Sequence, residues 1–578
     1  MKEEAKKRRH MGGFVMQAGI LAVAGIIVRI IGILYRAPLT QIIGDEGNGY
    51  YTHAYNIYTI ILLISSYSIP SAMSKVVSGY LAVGENKNAM RIVQCSLYYV
   101  LVVGGLASVL TYFIAPFLVE GSSVPVLRVF VPTIFLSGIL GVSRGFFQSF
   151  KTMLPTSISQ ILEQILNAIV SIGAAWLLIH FATGSDATTV AMRGAMGSAL
   201  GTGSGVLIAL IFTTTIFFRH RSEIVEAMGP GKADERLMSM KECFSVILHV
   251  VTPFILSTFI YNFSTSLNQT IYSKVMKHMY GLSASQIAIN YGIFAGKAVV
   301  IANIPIAISS AMSSAVIPSI SGSFARGDKE KAKQQIATAV KVTMMISIPC
   351  AIGLTALAEP VTRLLFPQKM SLQLASDLLR SICVTVVFYA LSTLTNAVLQ
   401  AIGKVNTPVR HAAAALVVQT IVLVVLLVFT NLGLYSLSIA MILYSLLMCI
   451  LNQIAVRRSL GYRQEIYRTF VVPIYAALLM GTFAHAAYRV VYDLAGSNIL
   501  ALFFAIAVGV GIYVILILRR GGITEEELLA VPKGDKVVRV LKKTKLLQDP
   551  RQRWEENKKK FREKAEKRMK KAQKKQED

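Results

Sequence analysis

A chain of 578 residues that is 54% hydrophobic and 15% charged, with a mean hydropathy of +0.58, is not a soluble domain. It has the composition of an all-α polytopic membrane protein. The net charge of +28 invites a nucleic-acid reading, but most of the Lys and Arg fall on the two tails and on the loops of one membrane face. That positive-inside bias argues against nucleic acid and predicts both termini in the cytoplasm.

Residues 1–13 form a basic N-terminus. The first apolar run, near 14–35, holds Ala22-Val23-Ala24 behind a basic stretch, as a signal peptide would. It continues past those small residues and carries Arg29, with Arg36 at its end, so it reads as a first span and not as a cleaved leader. Runs of about 20 apolar residues, the length that crosses a bilayer, follow near 51–72, 91–119, 124–146, 155–180 and 189–218. After a polar linker at 219–242 they resume near 243–271, 288–318, 334–358, 373–401, 408–430 and 433–456. Two more, near 468–492 and 497–518, precede a lysine-rich tail at 519–578. The expectation is about fourteen transmembrane helices.

The chain repeats itself. Ser71-Ala72-Met73-Ser74 returns as Ser310-Ala311-Met312-Ser313, and Gly84-Glu85-Asn86-Lys87 as Gly327-Asp328-Lys329-Glu330. Gln148 ahead of Pro155 returns as Gln400 ahead of Pro408. Each copy holds six spans, an even number, so both face the same way. This predicts two six-helix bundles, 14–218 and 243–456, around a central cavity, with the helices of 468–518 as an appendage.

Enzyme signatures are missing: there is no G-x-x-x-x-G-K-[ST], H-E-x-x-H or G-x-S-x-G. The five cysteines have no metal or redox spacing. Neither catalysis nor a cofactor nor a metal is expected. Gly201-Thr202-Gly203-Ser204-Gly205 lies inside a span, where small residues let helices approach closely.

Charges inside the spans are few: Arg29, Glu163 and Lys297. An arginine near a bilayer centre costs ~3 kcal/mol or more, and the usual reason to keep one is a pathway or a ligand. Two readings stay open. In one, Arg29 and Glu163 form a structural ion pair. In the other, Arg29 and Lys297, one from each repeat, face a shared cavity and bind an anion, with Arg36 extending the positive track. A guanidinium forks onto phosphate oxygens, which suits a pyrophosphate. Asn303, a polar residue inside the eighth span, completes the candidate set.

Arg29-Ile30-Ile31-Gly32-Ile33-Leu34-Tyr35-Arg36 is followed by Gly44-Asp45-Glu46-Gly47-Asn48-Gly49-Tyr50, Ala54-Tyr55-Asn56-Ile57-Tyr58 and Ile69-Pro70-Ser71-Ala72-Met73-Ser74-Lys75. Together these resemble the polysaccharide-exporter branch of the MATE-like flippases. That branch includes the MurJ-type lipid II flippases and the stage V sporulation protein B group. Ser159-Gln160-Ile161-Leu162-Glu163-Gln164 is similar to the fifth-span motif of the branch. The resemblance covers roughly residues 12–520.

It implies a V-shaped pair of bundles, alternating access, and a lipid-linked sugar pyrophosphate as substrate, with Arg29, Arg36 and Lys297 lining the cavity. The expected function is that of a bacterial plasma-membrane flippase for an undecaprenyl-pyrophosphate-linked precursor, lipid II first. Alternatives are another lipid-linked glycan (a capsule, teichoic or spore-cortex precursor), multidrug antiport, or a non-transporting scaffold. Expected partners are the lipid-linked glycan, anionic lipids under the basic tail and cell-wall synthesis enzymes.

Overall fold

The computed structural model describes residues 23–25, 27–67, 69–150, 152–228 and 236–523. Among these residues there is no strand. In chain order the helices are α1 (Val23–Leu34), α2 (Arg36–Leu62), α3 (Ile69–Ala82), α4 (Asn86–Leu118), α5 (Ser123–Ser149), α6 (Leu154–His180) and α7 (Ala187–Arg219). Then come α8 (Arg221–Met228), α9 (Met240–His278), α10 (Ala284–Ile293), α11 (Val299–Ala325), α12 (Lys329–Ala356), α13 (Ala358–Leu365) and α14 (Lys369–Ile382). The chain closes with α15 (Val384–Ala401), α16 (Asn406–Phe429), α17 (Leu434–Leu460), α18 (Val472–Ala495) and α19 (Asn498–Arg519).

Eleven of the described helices are long and apolar enough to cross a membrane, or twelve if one bent pair counts as a single span. The sequence suggested about fourteen. The first two expected spans form the bent pair, Val23–Leu34 with Arg36–Ser66, at 46°. The seventh is the 39-residue α9, part of whose side chains lie outside the described set. Both tails also lie outside it.

Local chemistry sets the ends and breaks. Asp186 caps α7 by accepting from the Thr189 backbone N–H, and that contact with the Thr189 hydroxyl holds its carboxyl below the usual range. Ser239 and Glu242 make a capping box on α9, as do Ser283 and Gln286 on α10. Inside α2, Gly44 adopts φ 69°, which breaks the helix and lets it restart at Asp45. A π turn, Leu63–Tyr67, stands just ahead of Pro70, and another, Phe294–Ala298, joins α10 to α11.

By contacts the chain divides into two units, residues 1–339 with 358–462, and residues 340–357 with 463–578. In the larger unit, large apolar side chains such as Val102, Phe113, Ile169 and Trp176 point outward. Small residues occupy the helix contacts instead, as expected where lipid offers no hydrophobic drive to pack. Gly197, Gly201 and Gly205 of α7 lie against Ala175, Ser171 and the Glu163 carbonyl of α6, and a Cβ at any of them would collide. In the smaller unit α18 packs along α19, with Gly509 against Met480 and Ala484. There the Tyr513 hydroxyl donates to the Met345 carbonyl at 2.8 Å.

Candidate functional site

Arg29, Gly32 and Arg36 recur at helical spacing, so they share one face of the α1–α2 segment. That face borders a cavity of about 570 Å³ whose other walls are Gln164 of α6 and Val300, Asn303, Ile304 and Ser310 of α11. Among the described residues no carboxylate lines it. Among the described residues neither Arg29 nor Arg36 has an Asp or Glu at ion-pair distance. Gly32 has a packing role here: a Cβ on it would lie 3.0 Å from Gln164 Nε2, so the bare backbone lets that amide approach α1. Tyr35, Tyr51 and Tyr55 stand around Arg36. The rest of the lining is largely aliphatic, including Val28, Ile30 and Ile33. Two fixed positive charges, two amides and an apolar wall can hold an anionic headgroup joined to a hydrocarbon chain.

Glu163 lies next to Gln164 but serves a different partner. Its carboxylate accepts from Arg144 Nη2 at 2.6 Å, while Arg144 Nε donates to Ser159 Oγ at 2.9 Å. Consecutive helical residues point about 100° apart, so Gln164 reaches the cavity and Glu163 reaches α5. The ion pair open on sequence grounds, Arg29 with Glu163, is not the one formed.

Lys297 is placed by the second π turn and is 1% exposed. It pairs with Asp45 and donates to Gln368 Oε1 at 2.9 Å and Ser371 Oγ at 2.7 Å. Gln368 Nε2 in turn donates to the Thr40 carbonyl at 2.7 Å. It is not among the described residues that line the arginine cavity. Of the five expected site residues, the cavity brings together Arg29, Arg36 and Asn303.

The Lys297–Asp45 pair belongs to a seam where α2 meets α9 and α10. Gly49 lies so close to Ala288 that a Cβ would strike its carbonyl, and a Cβ on Gly292 would sit 2.7 Å from the Gly49 Cα. Asn56 donates to Gln269 Oε1 at 2.6 Å, Ser285 donates to Glu46 at 2.7 Å, and Lys277 pairs with Glu120 at 3.0 Å. Sequence reasoning placed Asp45 between the first two spans and did not single out Arg144. A signal for Asp45 was present: Gly44-Asp45-Glu46 is a glycine break followed by acids, the pattern of a helix start. Gln164 lay in a noted motif, but nothing there said which way it points.

The profile of the family described as lipid II flippase MurJ matches residues 84–508. That match begins beyond α1 and α2. Lipid II flippase MurJ of Bacillus subtilis (strain 168) is 25% identical over 490 residues, covering 80% of this chain and 86% of the relative. Stage V sporulation protein B of the same organism is 23% identical over 524 residues, 89% and 96%. Among solved structures, a lipid II flippase MurJ in an inward closed conformation superposes with a TM-score of 0.62 at 14% identity, over 86% of this chain and 97% of that one. An inward-facing multidrug resistance MATE family transporter gives 0.59 at 15%, over 77% and 98%.

Proposed function

The chain belongs to the lipid II flippase MurJ family and is a multi-pass membrane transporter rather than an enzyme; from that premise we propose that it moves an undecaprenyl-pyrophosphate-linked cell-wall precursor, lipid II first, from the inner to the outer leaflet of the bacterial plasma membrane. The observation that carries this reading is the pair Arg29 and Arg36, bordering a cavity whose described lining holds no carboxylate to neutralise them. Arg29 is exposed and Arg36 half-buried; cations beside a cavity without acids suit a polyanion, and guanidinium forks suit pyrophosphate oxygens. Gln164 and Asn303 would donate to the sugar or phosphate, while the aliphatic wall takes the first units of the polyprenyl chain.

With the basic tails in the cytoplasm, the seam of Asp45, Gly49 and Lys297 lies on the outer side. The headgroup then enters from inside, the seam parts, and the headgroup leaves outward. Lys297 becomes available to an anion only when its pair with Asp45 separates. An inside-negative potential drives an anion outward by ~2.3 kcal/mol per charge per 100 mV if the charge crosses the whole field. The lysine-rich tail is assigned to the anionic inner leaflet. The near-equal similarity to stage V sporulation protein B favours, as a second reading, a different lipid-linked glycan on the same site.

The test is a strain depleted of its own flippase and supplied with the Arg29→Ala/Arg36→Ala variant. Losing two charge-assisted contacts, each worth about 1.5–3 kcal/mol, should lower exposure of lipid II on the outer face by at least roughly 100-fold at normal membrane insertion. Exposure at the wild-type rate would sink the proposal. Identifying the polyprenyl-linked intermediate trapped inside on depletion separates lipid II from other glycans.

A further inference from the structure

A second, smaller cavity lies apart from the arginines, where α2, the end of α4, the start of α5, α9 and α10 meet. Its volume of about 70 Å³ holds roughly two waters. His53 and Ser123 line it with Gln269, Thr270, Glu120 and Lys274. Nε2 of His53 and Oγ of Ser123 are buried with no hydrogen-bond partner, on residues 6% and 1% exposed. His53 stands in the seam itself: its carbonyl accepts from Gln269 Nε2 at 3.2 Å, and its ring meets that of Tyr291 at 5.1 Å.

We propose that His53 is a proton-binding site, empty while the seam is closed and filled when α2 parts from α9 and α10; this rests on the alternating-access reading above. The charges around the ring decide the matter. On α2, Asp45 is held by Lys297, and Glu46 accepts from Tyr50 and Ser285. From the end of α4, Glu120 is held by Lys277 of α9. Tyr272 of α9 and Tyr291 of α10 are neutral phenols. Arg128 of α5 lies over the Tyr112 ring, and Arg193 of α7 donates to the Phe181 carbonyl. Lys274, which lines the cavity, has no ion pair among the described residues and carries the imidazolium's own sign.

Among the described residues every carboxylate near the ring, Glu120 of the cavity lining included, already has a partner in the closed seam and none touches Nε2, and a buried charge without a direct partner is strongly disfavoured. Once the seam parts, the ring meets water and titrates as an exposed histidine, near ~6.5. A proton that binds only the parted state must favour that state. The closed seam is therefore at full strength above pH ~6.5 and weakens as pH falls through that value. On the assigned orientation the responding side is the cell exterior.

The experiment places spin labels at Thr183→Cys and Met279→Cys, on exposed loops of the two sides of the seam, in a cysteine-free background in lipid nanodiscs. Distance distributions are read from pH 8 to pH 5.5. The ratio of parted to closed protein should rise roughly tenfold across that range, and His53→Gln should abolish the response. Lys274→Glu, an exposed change that spares the fold, sets a carboxylate beside the ring in the closed seam and should shrink the acid response, which keeps the test decisive if the buried variant fails to fold. A wild-type response in His53→Gln, or an undiminished response in Lys274→Glu, overturns the proposal. Adding lipid II to the same labelled protein separates the two claims. Parting on lipid with no acid response defeats the proton site alone. An acid response through His53 with no effect of lipid supports the site and defeats the flippase reading. No parting under either condition defeats both.

Discussion

Arg29 and Lys297 bring the same charge into membrane-spanning helices, and the fold treats them in opposite ways. Lys297 is sealed among Asp45, Gln368 and Ser371, at the point where α2 meets the second π turn. Arg29 borders a cavity of about 570 Å³ with no acid among its described lining residues. A compensated charge holds structure together. An uncompensated charge beside a cavity has spare hydrogen-bonding capacity, and that is what a ligand needs. The contrast also explains why counting intramembrane charges does not by itself find a site: what matters is whether the fold has already used them.

The contrast breaks most sharply at Asp45. Asp45→Asn leaves Lys297 buried without its carboxylate, which should cost about 3–5 kcal/mol and appear as a lower melting temperature in detergent. Asp45→Leu with Lys297→Met should recover most of that stability, because replacing a buried pair by apolar side chains is often neutral. If Asp45→Asn melts with the wild type, the pair is not holding the seam.

A smaller effect is expected from the glycines beside it. Gly49→Ala improves helix propensity, yet its Cβ would strike the Ala288 carbonyl. The seam should weaken by about 1–3 kcal/mol. Labels at residues 183 and 279 should then report a wider separation already at pH 8. An unchanged distance would mean that α2 and α10 do not need this close approach.

The smallest effect is predicted at Glu163. Its pair with Arg144 is partly exposed, 30% and 14% for the two side chains, so Glu163→Gln should cost less than about 1 kcal/mol and leave transport near normal. A loss of transport as deep as that of the arginine double variant would assign Glu163 to the cavity after all.

Much of the fold was legible in one dimension, because a span must satisfy its own backbone and bury none of its polar groups in lipid. Apolar runs of the right length therefore marked the helices, and Gly201, Gly203 and Gly205 announced close packing. Arg29 was legible as a candidate for the same reason: a charge in such a run is conspicuous. Its partners were not legible. Gly44, with φ 69°, turns what reads as a loop into the first turn of a new helical segment and carries Asp45 to Lys297. The π turn at Phe294–Ala298 adds a residue to the helical turn and so rotates Lys297 relative to α11. Helical periodicity says which residues share a face, but a break or a bulge resets the face. The sequence by itself determined that charges lie within the membrane helices. Only the tertiary structure decided that Lys297 closes a seam while Arg29 and Arg36 border a cavity, because pairing depends on the rotation of each helix about its axis, and the breaks at Gly44 and Phe294–Ala298 reset that rotation.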